Sequence, residues 1–366
     1  MEVAGDRGPA PSQDEAKRLA LSGKWKEIIA RVEPLATSGL DEESGAKSPV
    51  LTLLAYYFLA LFRMREYAKI GEQIEKYGVL VKGVDSPDGS FEEPKVPFVL
   101  LWVYAEYPIH NGDVAKGLDR LYCLLHTSKI LKRGYDDKLQ FDVGSAGVDP
   151  VSDAEVPPTG GVSTASLRHA WDRRVKMILC VIACHHCTLK QYAPAVKLLS
   201  GLANETSDPH FLSLLAYVLL QLGDVASARK VCDGLRAAVS AGAGAEEARF
   251  LVANLEGLLH FASDKFEEAI ERFDFASKAL PSCPVACTNL AVGHMYARNL
   301  HVSIKVLETR LAENHALTLE KPMVLNLCSM YELASTKCKE SKQTLHTWIL
   351  KNTADDFDRD TTRLVA

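Results

Sequence analysis

The chain lacks an apolar run long enough to cross a bilayer. Its longest, Leu51 to Phe62, is twelve residues, against about 20 for a spanning helix, and reads as a buried hairpin helix. It also lacks a basic surplus: 42 Lys and Arg stand against 47 Asp and Glu, for a net charge of −5 and a pI of about 6.1. Binding nucleic acid needs clustered cations to neutralise phosphates. The densest basic run, Arg173-Arg174-Val175-Lys176, reads as a solvated helix start. There is no Gly-rich phosphate loop, no His-Glu-x-x-His and no G-x-S-x-G. Met1 to Lys17 contains no apolar signal core, and nine cysteines without such a signal point to reduced thiols in the cytosol. These absences predict a soluble, cytoplasmic, non-enzymatic protein with no cofactor.

What the sequence does contain is a recurring small residue. Ala195, Ala228, Ala269 and Ser303 occupy equivalent places, separated by 33, 41 and 34 residues. A period near 34 is the length of one tetratricopeptide (TPR) helix–turn–helix unit. The clearest copy runs from Phe250 to Cys283, with Gly257 in its first helix and a turn at Asp264-Lys265-Phe266. Ala269, Phe273 and Ala276 follow in its second helix, and Pro281 closes it. Helices cross closely only where the contacting side chains are small, which predicts that Gly257 meets Ala269. Phe266 and Phe273 share a face and are expected to fill the groove beside the next hairpin. The copies from Lys176, Pro209 and Pro284 keep this register, and the longer gap is absorbed by a small-residue loop over 238–244. The predicted fold class is an all-α TPR α-solenoid of antiparallel helical hairpins, each burying its face against its neighbours.

The first half repeats loosely. Gly23-Lys24-Trp25 with Ile28, Arg65-Glu66-Tyr67 with Ile70, and Gly112-Asp113-Val114 with Gly117 each resemble the turn and second-helix start. Loops over Gly39–Pro49 and Lys82–Pro97 separate them. The expected organisation is a disordered N-terminal tail over 1–17, degenerate hairpins over 18–135, and an acidic disordered loop over 136–163. Regular repeats follow over 164–318, capping helices over 319–351 and a frayed C-terminal tail over 352–366. The acidic segment carries six carboxylates against Lys138 and too little apolar surface to offset the entropy of ordering it. It reads as a linker, the alternative being a docking strap with Ser145, Ser152, Thr159 and Ser163 open to phosphorylation.

One constellation looks like chemistry: Cys180, Cys184, His185, His186 and Cys187. Structural zinc ordinarily needs a second ligand pair at a defined distance, and a redox Cys-x-x-Cys ordinarily opens a helix. Neither context is present, so these residues read as packing cysteines, and no metal, cofactor-binding or catalytic residue is assigned. Glu246-Glu247 and Glu267-Glu268 diverge on their helices and make no acid–base couple. His260 and His294 read as groove-lining or packing residues. A carboxylate clamp of the co-chaperone kind needs Lys, Asn and Arg at points that here hold Cys180, Cys184, Leu214, Leu251 and Leu255. None of these donates to a carboxylate. Asn289 fits only with the frame moved.

Three stretches resemble the subunit 12 family of the trafficking protein particle (TRAPP) complex, its TPR-containing subunit. They are Val96-Pro97-Phe98 through Ser128-Lys129-Ile130-Leu131, Leu167 to Arg174 with Arg168, Trp171 and Arg173, and the run Val324-Leu325-Asn326-Leu327-Cys328-Ser329-Met330-Tyr331-Glu332-Leu333. Ala286 to Val292 also fits, so the likeness spans about 96–366. The resemblance implies a non-catalytic scaffold in endoplasmic-reticulum-to-Golgi vesicle transport, peripheral at the intermediate compartment or Golgi. Its implied partners are the large and core TRAPP subunits and, indirectly, a Rab-type GTPase and vesicle membranes. The rival reading is a free TPR adaptor that binds a peptide of a client or chaperone.

Overall fold

The computed structural model of the chain describes residues 9–38, 49–77, 96–141, 164–241, 246–335 and 338–362. Among them are sixteen α-helices and no strand. They are α1 (Gln13–Leu21), α2 (Trp25–Ser38), α3 (Pro49–Arg63), α4 (Tyr67–Ile74), α5 (Phe98–His110), α6 (Val114–Phe141), α7 (Thr164–Thr188) and α8 (Tyr192–Thr206). Then come α9 (Pro209–Gln221), α10 (Val225–Ala241), α11 (Glu246–Phe261), α12 (Phe266–Ala279), α13 (Pro284–Tyr296), α14 (Leu300–Thr318), α15 (Lys321–Ala334) and α16 (Cys338–Asn352).

Successive helices pair into hairpins, and seven hairpins share one turn. A single residue in each turn has positive φ: Gly23, Arg65, Gly112, Lys190, Gly223, Asp264 and Arg298. Its N–H donates to the carbonyl three residues back, and the next N–H reaches five back, at 2.8–3.3 Å in every copy. This left-handed cap satisfies the last carbonyls of the first helix. Five residues after it come Ile28, Ile70, Gly117, Ala195, Ala228, Ala269 and Ser303, all buried. The loosely repeating first half therefore carries the same local device as the regular second half. Gly112-Asp113-Val114 and Gly223-Asp224-Val225 are near-identical turns, in which the aspartate accepts from the N–H of Lys116 (3.1 Å) or Ser227 (3.0 Å). Each aspartate thereby caps the following helix. Ser303 fits the small position because its Oγ donates to the carbonyl of Ala291.

The chain forms two compact units, residues 1–182 with 354–356, and residues 183–353 with 357–366. In the first unit the turn edge is closed by a ring triangle. Phe62 meets Tyr67 at 5.5 Å and His110 at 5.2 Å, and Tyr67 stacks on His110 at 4.7 Å between centroids. The second unit repeats it: Phe261 lies 5.3 Å from Phe266 and 5.0 Å from Tyr296, with Phe266 and Tyr296 5.6 Å apart. In both, two rings flank one turn and the third comes from the end of the next hairpin's first helix. Offset and edge-on aromatic pairs contribute about 0.5–1.5 kcal/mol beyond area burial. The core of the second unit runs from Ala183 through Leu215, Leu235 and Leu255, with a further cluster around Leu307, Leu327 and Ile349.

Several sequence expectations are corrected. Ser12 caps α1, with its Oγ 3.2 Å from the N–H of Glu15, so 13–17 are helical. Arg31 then pairs with Glu15 at 2.8 Å. The acidic segment does not begin as a loop: α6 continues to Phe141, and Asp136 pairs with Arg168 at 2.6 Å. Its remainder, 142–163, lies outside the described residues, as do 39–48 and 82–95 of the other expected loops. The C-terminal segment is held, not frayed, over its described part. In the first unit, Asp355 donates its N–H to the Gly23 carbonyl (3.0 Å) and accepts from the Lys26 N–H (3.1 Å). Its carboxylate thus sits at the positive N-terminus of α2. In the second unit, Lys321 pairs with Asp358 (2.7 Å), His346 bonds Thr362 (3.0 Å), and Thr361 and Thr362 are buried.

Candidate interaction surface

The cysteine–histidine constellation lies along α7. Among the described residues no three potential ligands stand close enough to hold a metal ion. His186 is buried and its Nδ1 lies 2.8 Å from Oε1 of Gln191, while its carbonyl accepts from the Gln191 N–H at 2.8 Å. Ring and backbone together fasten the turn, a structural task. Burial, with a smaller contribution from Cys184, pushes the Cys187 thiol up.

At the clamp points, Leu251 and Leu255 are core residues. A polar row runs beside them across three consecutive first helices, α9, α11 and α13. Asn254, fully buried, donates from Nδ2 to the Tyr217 hydroxyl (2.9 Å), and Asn289 donates to Oδ1 of Asn254 (3.0 Å). The three are spaced by 37 and 35 residues, close to the repeat period. Sequence reasoning singled out Asn289 and missed Tyr217 and Asn254. The signal was a polar residue recurring at the repeat length inside apolar helices. Neither expected groove histidine joins this row: burial lowers the His294 pKa, and its Nδ1 has no hydrogen-bond partner among the described residues, while His260 lies beside a separate cavity.

The first two stretches that carry the family resemblance meet in packing, not in a site. Phe98 and Trp171 stand edge-on at 6.0 Å, and the Arg174 guanidinium lies over both rings, 4.9 and 4.4 Å from their centroids. Lys132 pairs with Asp172 at 2.5 Å. In the C-terminal run, Val324, Leu327, Cys328 and Met330 are core, while Tyr331 donates to Glu308 at 2.6 Å.

The atoms nearest a Cβ on Gly257 all belong to the Phe273 ring, so the space left by the glycine is filled by that ring. Phe273 is buried with Ala269 and Leu290, the latter from the next hairpin, as its place on the groove face requires.

Stacked antiparallel hairpins with one repeated turn, small residues at the crossings and a polar row across first helices define an all-α TPR α-solenoid. No family model matches the chain. It is similar to trafficking protein particle complex subunit 12 of Homo sapiens, 25% identical over 265 residues, covering 72% of this chain and 34% of that protein. The Mus musculus protein matches at the same identity over 72% of this chain and 32% of its own length. The chain thus spans about a third of the length of these curated relatives. Among solved structures, a human IFIT1 dimer with PPP-AAAA covers 92% of this chain and 80% of its own at 14% identity and a TM-score of 0.34. The P58(IPK) TPR domain covers 96% and 94% at 10% identity and a TM-score of 0.22. Among the described residues no helix is long and apolar enough to cross a membrane.

Proposed function

We propose that this chain is a non-catalytic TPR scaffold subunit of a trafficking protein particle complex, acting in endoplasmic-reticulum-to-Golgi vesicle transport. The observation that carries the reading is the 265-residue match to subunit 12 of that complex. Hairpin stacks support it physically, because they present long surfaces over which several contacts can be spread. Its partners on this reading are the large and core subunits, with a Rab-type GTPase and vesicle membranes reached through them. Its place is peripheral, at the intermediate compartment or Golgi.

The half-buried ends of the row, Asn289 and Tyr217, held in place by the buried Asn254 between them, favour a second reading, a free adaptor that holds a peptide of a client or chaperone. Asparagine amides both donate and accept, as a peptide backbone requires. Affinity purification of the tagged chain from its own cells, followed by size fractionation and mass spectrometry, separates the two. Co-elution with core and large TRAPP subunits supports the scaffold. A monomeric fraction carrying a chaperone or one unrelated client overturns it in favour of the adaptor.

A further inference from the structure

Three arginines converge on one cavity of the second unit, of about 110 Å3. Arg229 and Arg236 lie seven residues apart on one face of α10, Arg272 comes from α12, and Glu256, Leu259 and His260 come from α11. Cys232 and Leu259 are fully or almost fully buried and make an apolar floor. Arg236 donates from Nε and Nη2 to Glu256 Oε1 (2.9 and 2.6 Å) and from Nη1 to Asp233 (3.0 Å). Arg272 reaches the other Glu256 oxygen at 3.4 Å through one Nη. The Glu256 carboxylate, only 14% exposed, therefore fixes two guanidiniums at the cavity wall.

These internal pairs leave donors over. A guanidinium carries five N–H donors and no acceptor. Arg272 commits one nitrogen, and Arg229 makes no ion pair or hydrogen bond with any described residue. Three cations stand against two carboxylates, a local positive balance in a chain of net −5. One turn further along α12, on the face of Arg272, Phe275 is 54% exposed. The cavity has room for one oxyanion, and no basic stripe extends from it, so neither a nucleic-acid backbone nor a bilayer surface finds the repeated cations it needs.

We propose that this cavity docks an acidic side chain of a partner polypeptide, an aspartate, glutamate or phosphoserine followed by an apolar residue. Arg229 and Arg272 grip the oxyanion and Phe275 covers the apolar neighbour. Guanidiniums suit this task because their planar forks match carboxylate and phosphate oxygens. The inference stands on this cavity and does not depend on which assembly the chain joins.

The test is fluorescence anisotropy on the 366-residue chain with three labelled ten-residue peptides, carrying a central Glu-Leu, phosphoserine-Leu or Gln-Leu pair. The acidic peptides are expected to bind and the Gln peptide not to, the tighter acidic peptide naming the natural group. Arg229→Ala, which breaks no ion pair or hydrogen bond among the described residues, and Arg272→Ala are each expected to weaken binding about tenfold, the scale of one charge-assisted contact. Arg249→Ala, an exposed arginine of α11 outside the cavity, should leave binding unchanged. Equal binding of the Gln peptide, equal loss with Arg249→Ala, or no binding by either acidic peptide overturns the proposal. Unchanged melting of Arg229→Ala separates lost binding from lost fold.

Discussion

A Cβ placed on Gly257 would stand 2.5 Å from Cε1 and 2.6 Å from Cδ1 of Phe273, inside van der Waals contact. The absent side chain of α11 is thus the space that the ring of α12 occupies. Phe273 is 1% exposed, so the ring has no outward escape.

Gly257→Ala tests this fit. The substitution gains about 1 kcal/mol of helix propensity, but overpacking a filled core typically costs about 1–3 kcal/mol. Net destabilisation is expected in urea denaturation. Phe273→Leu in the Gly257→Ala background should cost less than in the parent, a coupling that a double-mutant cycle reads directly.

The shared turn predicts opposite signs at equivalent positions. Lys190 (φ 60°) and Arg298 (φ 64°) adopt the left-handed conformation that costs an L-residue roughly 1–2 kcal/mol. Lys190→Gly and Arg298→Gly are each expected to stabilise by about 0.5–1 kcal/mol after the entropic cost of glycine. Gly223→Ala meets open space but keeps φ at 77°, so it should destabilise by about 1 kcal/mol from backbone strain alone. Thermal denaturation of the three variants checks the sign at each turn.

Arg120 is a buried cation of the first unit, 6% exposed. Its guanidinium lies 3.7 Å from the Tyr104 ring centroid and donates to the Tyr104 carbonyl at 3.2 Å and hydroxyl at 2.6 Å. Arg120→Met keeps the stem but strands these acceptors, and should cost about 2–3 kcal/mol, the scale for losing charged hydrogen bonds in a buried site. Arg120→Lys is not expected to rescue, because a point charge replaces a planar stacked fork.

Thiol chemistry separates the packing cysteines from a reactive pair. Burial, reinforced by the Glu256 charge, pushes the Cys232 thiol up to about 11, and burial raises that of Cys287 as well. Only the thiolate alkylates. At pH 8, iodoacetamide mapped by mass spectrometry should label exposed Cys184 first, and Cys232 and Cys287 only on unfolding. Cys184→Ser with Cys187→Ser should leave complex formation unchanged, and stoichiometric zinc in the parent protein would refute the packing assignment.

The sequence alone determined whatever repeats locally. A left-handed cap, an aspartate after Gly112 or Gly223, and a small or β-branched residue five places on are written within a dozen residues, because turn and helix-end hydrogen bonds join near neighbours. The all-α hairpin fold followed from that period. The tertiary structure decided what meets across helices. It set Gly257 against the ring of Phe273, Asp355 against the start of α2, Asn254 between Tyr217 and Asn289, and Arg229 and Arg272 on one cavity. Those pairings depend on the rotation and offset of one helix against the next. Two frames one residue apart turn a side chain by roughly 100°, enough to exchange a core leucine such as Leu255 for the polar Asn254 beside it.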